Sequence, residues 1–498
     1  MLCAIGLATA CARSTTPPEG GSPLPPGIDL RALQPELFAA TGALVNAAAD
    51  IDGDRDPDLF VGFNGTPNRL YRNDRGTFVD IAAQAGVADA RATRAGALGD
   101  WDADGDADLL VGFAPGAGPV LRLYRNDAGR FSDATSVAGL AVEAGAVRQP
   151  VWVDFDGDGD LDLFVAFRDR PNMLLRNVGG RLTDIAAEVG LADVRRSVGA
   201  VWADLDADGD LDVVVANMDG DANGVFRNDA GRFTDVAESW GLAWGGRAAR
   251  EATNGTVRPC VEDVNGDGRL DLITANYGTP GLFLAGASAG PSTWTDAGAA
   301  WGIAVDGRYD ACALADIDND GRLDLFINGT VTQGRNWPDY LYRNTGARFT
   351  DITPAAVSAI AADHGALWAD VDGDGSADLA LTGQGPHALL RNALTPEVAR
   401  RSVRVRVLDA LGHATRAGAE VRIYAAGTRR LLGTRLVDAG SAYDAQSDLP
   451  VHLGTGTVAK IDVEVTWPAR GVRAVTRRRG VVPGTGVVEI RTPGSRAR

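Results

Sequence analysis

The sequence predicts an all-β protein, a seven-bladed β-propeller followed by a small C-terminal β domain. Three observations carry that prediction. An acidic nine-residue motif recurs seven times between Asp50 and Asp378. The 498 residues are 45% apolar and only 6% aromatic, with 63 glycines and 23 prolines, which suits turn-rich β structure better than helix. The charge is also divided: from Arg400 onward 18 Arg plus Lys meet 8 Asp plus Glu, so this end carries +10 (18 − 8) and the rest −28 (−18 − 10). A charge step of that size marks a domain boundary, and the overall −18 excludes a general nucleic-acid binder, which gains its affinity by neutralising phosphates.

The chain opens MLCAIGLATAC, apolar with small residues before Cys11, and reads as a secretory leader over residues 1–11. No basic residue precedes Cys11, so the usual positive start is missing. LATAC also resembles a bacterial lipoprotein cleavage box, which would make Cys11 the lipidated residue and the only membrane anchor. Residues 12–28, with STTPPEGGSPLPPG, are a Pro/Gly/Ser linker. Nothing later approaches the roughly 18 consecutive apolar residues of a membrane helix. The expected location is outside the cytoplasm: periplasm, cell surface or medium.

The motif copies are DIDGDRDPD, DWDADGDAD, DFDGDGDLD, DLDADGDLD, DVNGDGRLD, DIDNDGRLD and DVDGDGSAD, beginning at Asp50, Asp100, Asp154, Asp204, Asp263, Asp316 and Asp370. A second element follows most of them, as in LYRNDRGTFVDIA from Leu70 or VFRNDAGRFTDVA from Val225; the fifth copy is degraded to LFLAGASAGPSTWTDAG and the seventh stops at LLRN. Each unit of about 50 residues reads as four short strands, the repeat length of a propeller blade. A lone blade cannot bury both faces, and ring closure solves that problem. The propeller is assigned to residues 29–398, with residues 29–42 expected to supply the outer strand that the seventh copy lacks.

Positions 1, 3, 5 and 9 of the motif carry oxygen ligands and position 6 a glycine. The candidate metal ligands are Asp50, Asp52, Asp54 and Asp58; Asp100, Asp102, Asp104 and Asp108; Asp154, Asp156, Asp158 and Asp162; Asp204, Asp206, Asp208 and Asp212; Asp263, Asn265, Asp267 and Asp271; Asp316, Asp318, Asp320 and Asp324; and Asp370, Asp372, Asp374 and Asp378. Hard oxygens around a tight turn are what calcium requires, and magnesium, which keeps its waters, fits less well. An EF-hand is the wrong template, because the closing carboxylate comes at position 9 instead of 12 and the flanks are strand-like. A solvated turn without metal would leave several carboxylates repelling one another in every copy. The first copy departs from the pattern, with Arg55 in place of the glycine. About seven Ca2+ sites would add +14 to −18, so much of the acidity belongs to the loops.

These DxDxDGxxD copies resemble FG-GAP/VCBS repeats, the calcium-loop blades also found in integrin α-chain propellers. The LYRN…F-x-D companion is similar to the cartilage acidic protein family, in which an ASPIC/UnbV domain follows the propeller. VRVRVLDALGHATRAGAEVRIY from Val403, DAGSAYDAQSDLPVHLGTG from Asp438 and VEVTWP from Val463 match that domain. Alternation in VRVRV and VEVTW independently reads as half-buried strands, giving a β domain over residues 399–492 and a tail over 493–498. The resemblance implies a calcium-binding, adhesion-like module with a structural His452.

Chemistry is sparse. His364, His387, His413 and His452 have no ligand spacing, and no nucleophile, phosphate-loop or dinucleotide fingerprint occurs. Cys260 and Cys312 stand before motifs five and six with offsets that differ by one; this turns them to opposite strand faces and argues for two buried thiols. Trp152, Trp202 and Trp368, each two residues before a motif, are expected between blades, and Arg477–Arg479 in a solvated turn. Charged residues recur where each innermost strand begins, at the face opposite the loops: Arg94, Arg148, Arg196, Arg258, Asp310 and His364, with Arg247 and Arg250 nearby. In the related integrin propeller that face receives ligand, and a basic rim would suit an anionic glycan or carboxylate, although solvated arginines would look the same. The reading is a non-catalytic binder of an extracellular protein or glycan. A calcium-dependent lectin, or a lyase, hydrolase or cyclase working at the channel mouth, is the alternative.

Overall fold

The structure is a computed structural model that describes residues 28–247, 253–286, 294–332, 334–358, 360, 364–440, 443–468, 471–484 and 486–493. The leader with Cys11, most of the linker and Arg250 lie outside the described residues. Among the described residues no helix is long and apolar enough to cross a membrane.

Each motif sits between the first two strands of a four-stranded antiparallel sheet. In the third unit these are Val147–Val153, Asp162–Phe167, Met173–Val178 and Arg181–Asp184, paired in sequence order. The second strand, the apolar run DLFVAF, is buried at every position, as a strand packed on both faces must be. Seven such units occur. Their first strands touch in succession, and the seventh, Gly365–Ala369, touches the first, Ala43–Ala49, so the ring is closed. Leu30–Ala32 pairs antiparallel with Ala388–Asn392 as the outer strand of the last unit, where the sequence requires one.

The junctions between blades are mainly apolar. Trp152 and Trp202 are fully buried within them, while Trp368 is half-buried. Gly99 shows how close the packing is, since a Cβ there would lie 2.8 Å from the Trp152 ring. The asparagine of LYRN supplies the polar link. Asn177 donates to Leu161 O of its own blade at 3.0 Å and to Trp101 O of the preceding blade at 2.9 Å, and its Oδ1 accepts from Gly180 N–H at 2.9 Å. Asn73, Asn126, Asn228, Asn344 and Asn392 likewise reach a carbonyl of the preceding blade. In the degraded fifth copy Ala285 takes that place, its N–H donating to Asp271 Oδ1 as an asparagine's does elsewhere.

Blade five has a covalent link instead. Cys260 and Cys312 form a disulfide with Cα atoms 6.2 Å apart, correcting the expectation of two thiols. Opposite strand faces are the requirement here: neighbouring blades stack front to back, so one blade's forward face meets the next one's rear face. Reducing the bridge, which closes a loop of sequence separation 52, or replacing both cysteines with serine, is expected to cost about 2–4 kcal/mol in denaturant unfolding. An unchanged midpoint would refute a role in holding blade five.

The C-terminal domain pairs two sheets around one apolar core. One sheet runs Leu431–Leu436, Glu420–Ala425, Ile461–Pro468, Arg473–Val481, and the other Val451–Gly454, Ser402–Leu408, Val487–Arg491. Arg477–Arg479 lie in an edge strand, not a turn. The domain caps the acidic-loop face, with Arg435 on Glu262 at 2.8 Å, Arg422 Nη2 donating to Gly268 O at 3.0 Å and Gly471 N–H to Asp210 Oδ1 at 2.7 Å.

Candidate functional site: acidic loops and an occupied channel mouth

The loops are built from local hydrogen bonds that leave oxygens turned inward. In the second copy Asp100 Oδ1 accepts from Asp104 N–H at 3.0 Å and Oδ2 from Gly105 N–H at 3.1 Å. The glycine there has φ +101°, a conformation in which a side chain is strained, and Arg55 holds φ +77° at the same place in copy one. Arg55 reaches Glu489 of the C-terminal domain at 3.6 Å. The position-9 aspartate is a clasp as well as a ligand candidate: Asp108 accepts from Trp101 N–H at 2.9 Å and from Asn126 N–H at 2.8 Å, tying the loop to the third strand. The same double clasp holds Asp58, Asp162, Asp212, Asp271, Asp324 and Asp378.

Carboxylate oxygens of positions 1, 3 and 9 lie within 4.8 Å of one another in copies one to four (Asp50, Asp52, Asp58; Asp100, Asp102, Asp108; Asp154, Asp156, Asp162; Asp204, Asp206, Asp212), and those of positions 1, 3 and 5 in copy six (Asp316, Asp318, Asp320). In copies two, six and seven the LYRN arginine pairs with positions 3 and 5: Arg125 with Asp102 and Asp104, both at 3.1 Å, and Arg343 and Arg391 in the same pattern. Asp102 Oδ1, Asp154 Oδ1, Asp318 Oδ1 and Asp370 Oδ1 are buried without a hydrogen-bond partner. A buried carboxylate oxygen without a partner in each of these four loops, beside the other carboxylates of its own loop, fits a hard cation such as calcium.

Without an ion, burial raises the carboxyl pKa values, to about 6 for Asp100, about 7 for Asp58 and Asp154, about 8 for Asp108 and about 9 for Asp162. Some position-1 carboxylates receive a cation from the C-terminal domain: Arg416 on Asp154 at 3.2 Å, Arg473 on Asp204 at 3.0 Å and Arg404 on Asp370 at 3.0 Å.

The expected ligand rim is gathered around the protein's own chain. Residues 438–440 and 443–448 of the C-terminal domain enter the ring: Ala445–Gln446 pairs parallel with Gly96–Ala97, and Gln446 exchanges hydrogen bonds with the Trp152 backbone at 2.6 and 3.0 Å. Bulges in the first strands turn Arg94, Arg148, Val198, Val257 and Asp310 out of register. Tyr443 sits among them. Its hydroxyl is 3.3 Å from Arg94 Nη2, its ring stacks on His364 at 5.5 Å between centroids, and it packs with Val198 and Val257. His364 Nδ1 lies 3.0 Å from Asp310 Oδ2, and Asp444 is 3.5 Å from Arg94. Arg258 is fully buried and its pKa is pushed down to about 10 by desolvation, against the pull of Asp438 and Asp444. Arg196 stays apart, exposed and paired with Asp221 at 3.4 Å. Arg247 is buried, its Nη1 donating to Asn254 Oδ1 at 3.3 Å. Sequence reasoning missed Tyr443 and Asp444 because DAGSAYDAQSD lacks the alternation of a strand.

A closed ring of acidic-loop blades, capped and threaded by a small β domain, defines the class. Residues 50–111, 113–165, 154–215 and 263–327 match the FG-GAP-like repeat, and residues 412–492 match ASPIC and UnbV. The chain belongs to the FG-GAP repeat proteins with a C-terminal ASPIC/UnbV domain. It is 25% identical over 468 residues to cartilage acidic protein 1 of Homo sapiens, covering 85% of this chain and 68% of that one, and 25% identical over 469 residues to the Xenopus tropicalis protein, covering 85% and 70%. Among solved structures it is similar, with a TM-score of 0.40 and 19% identity over 64% of this chain and 81% of the other, to an Agrocybe aegerita lectin that recognises non-reducing terminal N-acetylglucosamine.

Proposed function

We propose that this protein is an exported, calcium-stabilised binding module with no catalysis of its own, taking an extracellular protein or glycan as ligand. The orphaned, buried oxygens of Asp102, Asp154, Asp318 and Asp370 carry the calcium reading, because such atoms are costly unless a cation meets them. Export is supported by the Cys260–Cys312 disulfide, a bond that persists in oxidising compartments, and by the leader ending at Cys11. The non-catalytic reading is supported by the occupation of the channel mouth by Tyr443 and Asp444.

Removing calcium with EDTA at pH 7.5 is expected to lower the unfolding temperature by 10 °C or more, on the order of several kcal/mol of linked binding energy. The pH dependence has a definite sign. Carboxyls whose folded pKa lies above the unfolded value of about 4 stabilise the fold fully below pH 4 and lose that contribution as pH rises through the folded values of about 6 to 9. In EDTA the unfolding temperature therefore rises as pH is lowered from 8.5 to 5.5, and excess calcium abolishes or reverses that trend. Calcium titration without heat, together with identical melting in EDTA, would refute the metal reading.

A further inference from the structure

We propose that the C-terminal domain carries, on the end and free edge of its four-stranded sheet, a docking site for an anionic polysaccharide. This rests on the binding-module reading for its setting, but not on the calcium loops.

Two sets stand out among the basic residues of this domain. Arg404, Arg416, Arg435 and Arg473 point at the propeller, each within 3.2 Å of one of its carboxylates. They account for the docking of a basic domain on an acidic ring. Arg429, Arg430, Lys460, Arg477, Arg478 and Arg479 form the second set, and all six are exposed. Among the described residues none of them pairs with a propeller carboxylate within 4.0 Å.

The strand register puts this second set together. Tyr424 pairs with Leu431, so Arg429 and Arg430 lie in the turn joining those two strands. Tyr424 also pairs with Asp462, and Ile461 with Val481, which brings Lys460 and Arg479 to the same end of the sheet. Four strands at about 4.8 Å spacing make this end roughly 15 Å wide, and Arg478 and Arg477 extend it along the edge strand. Among the described residues two carboxylates lie at this end of the sheet, while Glu489, whose carbonyl accepts from Arg478 Nη1 at 3.2 Å, borders it with its own carboxylate paired to Arg55. Asp462 is held by the N–H groups of Gly427 and Gly480, both at 2.9 Å, while Glu464 is buried beneath Arg477 and 3.9 Å from Arg429. Six cations against two carboxylates leave an excess of about four positive charges.

The shape of the band selects its ligand. Its charges run across strand ends over the span of three or four sugar units. An acidic peptide paired with the edge strand would reach Arg477–Arg479 but leave Arg429, Arg430 and Lys460, which lie across the strand ends, without a partner. Five of the six are arginines, whose planar forks match carboxylate and sulfate. Exposed Val475 within the edge strand and Val482 just past its end offer apolar surface for a sugar face.

The test uses the full chain with heparin as sulfated probe and polygalacturonate as carboxylated probe, followed by calorimetry between 50 and 400 mM NaCl. Binding to at least one probe is expected, with affinity falling steeply with salt. The triple variant Arg477→Ser, Arg478→Ser, Arg479→Ser should bind at least tenfold more weakly and with a shallower salt slope, at unchanged melting temperature. Should it fold poorly, Arg429→Ser with Arg430→Ser gives the same reading. No binding at 50 mM NaCl, unchanged affinity in a folded variant, or equal affinity for double-stranded DNA would each overturn the proposal. Repeating the titration in EDTA separates the two ideas, because polysaccharide binding persists there if only the calcium reading fails, provided the chain remains folded.

Discussion

Asp444→Ala is expected to lower folding stability by about 3–5 kcal/mol, the cost of stranding buried positive charge by deleting its counter-ion. Asp444 is 1% exposed, lies 3.5 Å from Arg94 and acts electrostatically on Arg148 and Arg258 as well. Arg258 has no exposure to speak of, and its Nε and Nη2 atoms have no hydrogen-bond partner, so a distant carboxylate is what offsets its charge. The side chain arrives on a segment that belongs to the C-terminal domain, and the effect therefore reports on the coupling of the two domains. Denaturant unfolding followed by tryptophan fluorescence should show one transition shifted to lower midpoint. A loss below about 1 kcal/mol would mean that water reaches the cluster and screens it.

The same segment marks the limit of what the sequence could reveal. Blade number, the position of each acidic loop and the closing strand at Leu30–Ala32 were legible because repetition and hydrophobic alternation encode them directly. Ala445–Gln446 pairs in parallel with a propeller strand more than three hundred residues earlier, over two residues, and local pattern carries no trace of that. Arg94, Arg148, Asp310 and His364 were recognised as a group, and they do converge, but around Tyr443. Their recurrence was visible; the occupant was not. The LYRN arginine and asparagine were seen as a repeat without a role, since their partners lie across the blade or in the next one.

Asn177→Ala should cost about 3–5 kcal/mol, and the isosteric Asn177→Asp at least as much. Alanine leaves two carbonyls and one amide without their partner, each a loss of roughly 1–3 kcal/mol when buried. Aspartate keeps the acceptor for Gly180 N–H but can donate to neither Trp101 O nor Leu161 O, and it sets a negative charge against both. Equal tolerance of both substitutions, measured by urea midpoint, would show that the apolar junction alone holds the blades in register. The degraded fifth copy argues otherwise. Where Ala285 replaces the asparagine, no such side-chain hydrogen bond to the fourth blade can form, and this fifth blade is the one cross-linked to its other neighbour, the sixth, through Cys260 and Cys312. A ring is as stable as its weakest junction, so a blade that loses a clasp on one side gains most from a covalent tie on the other.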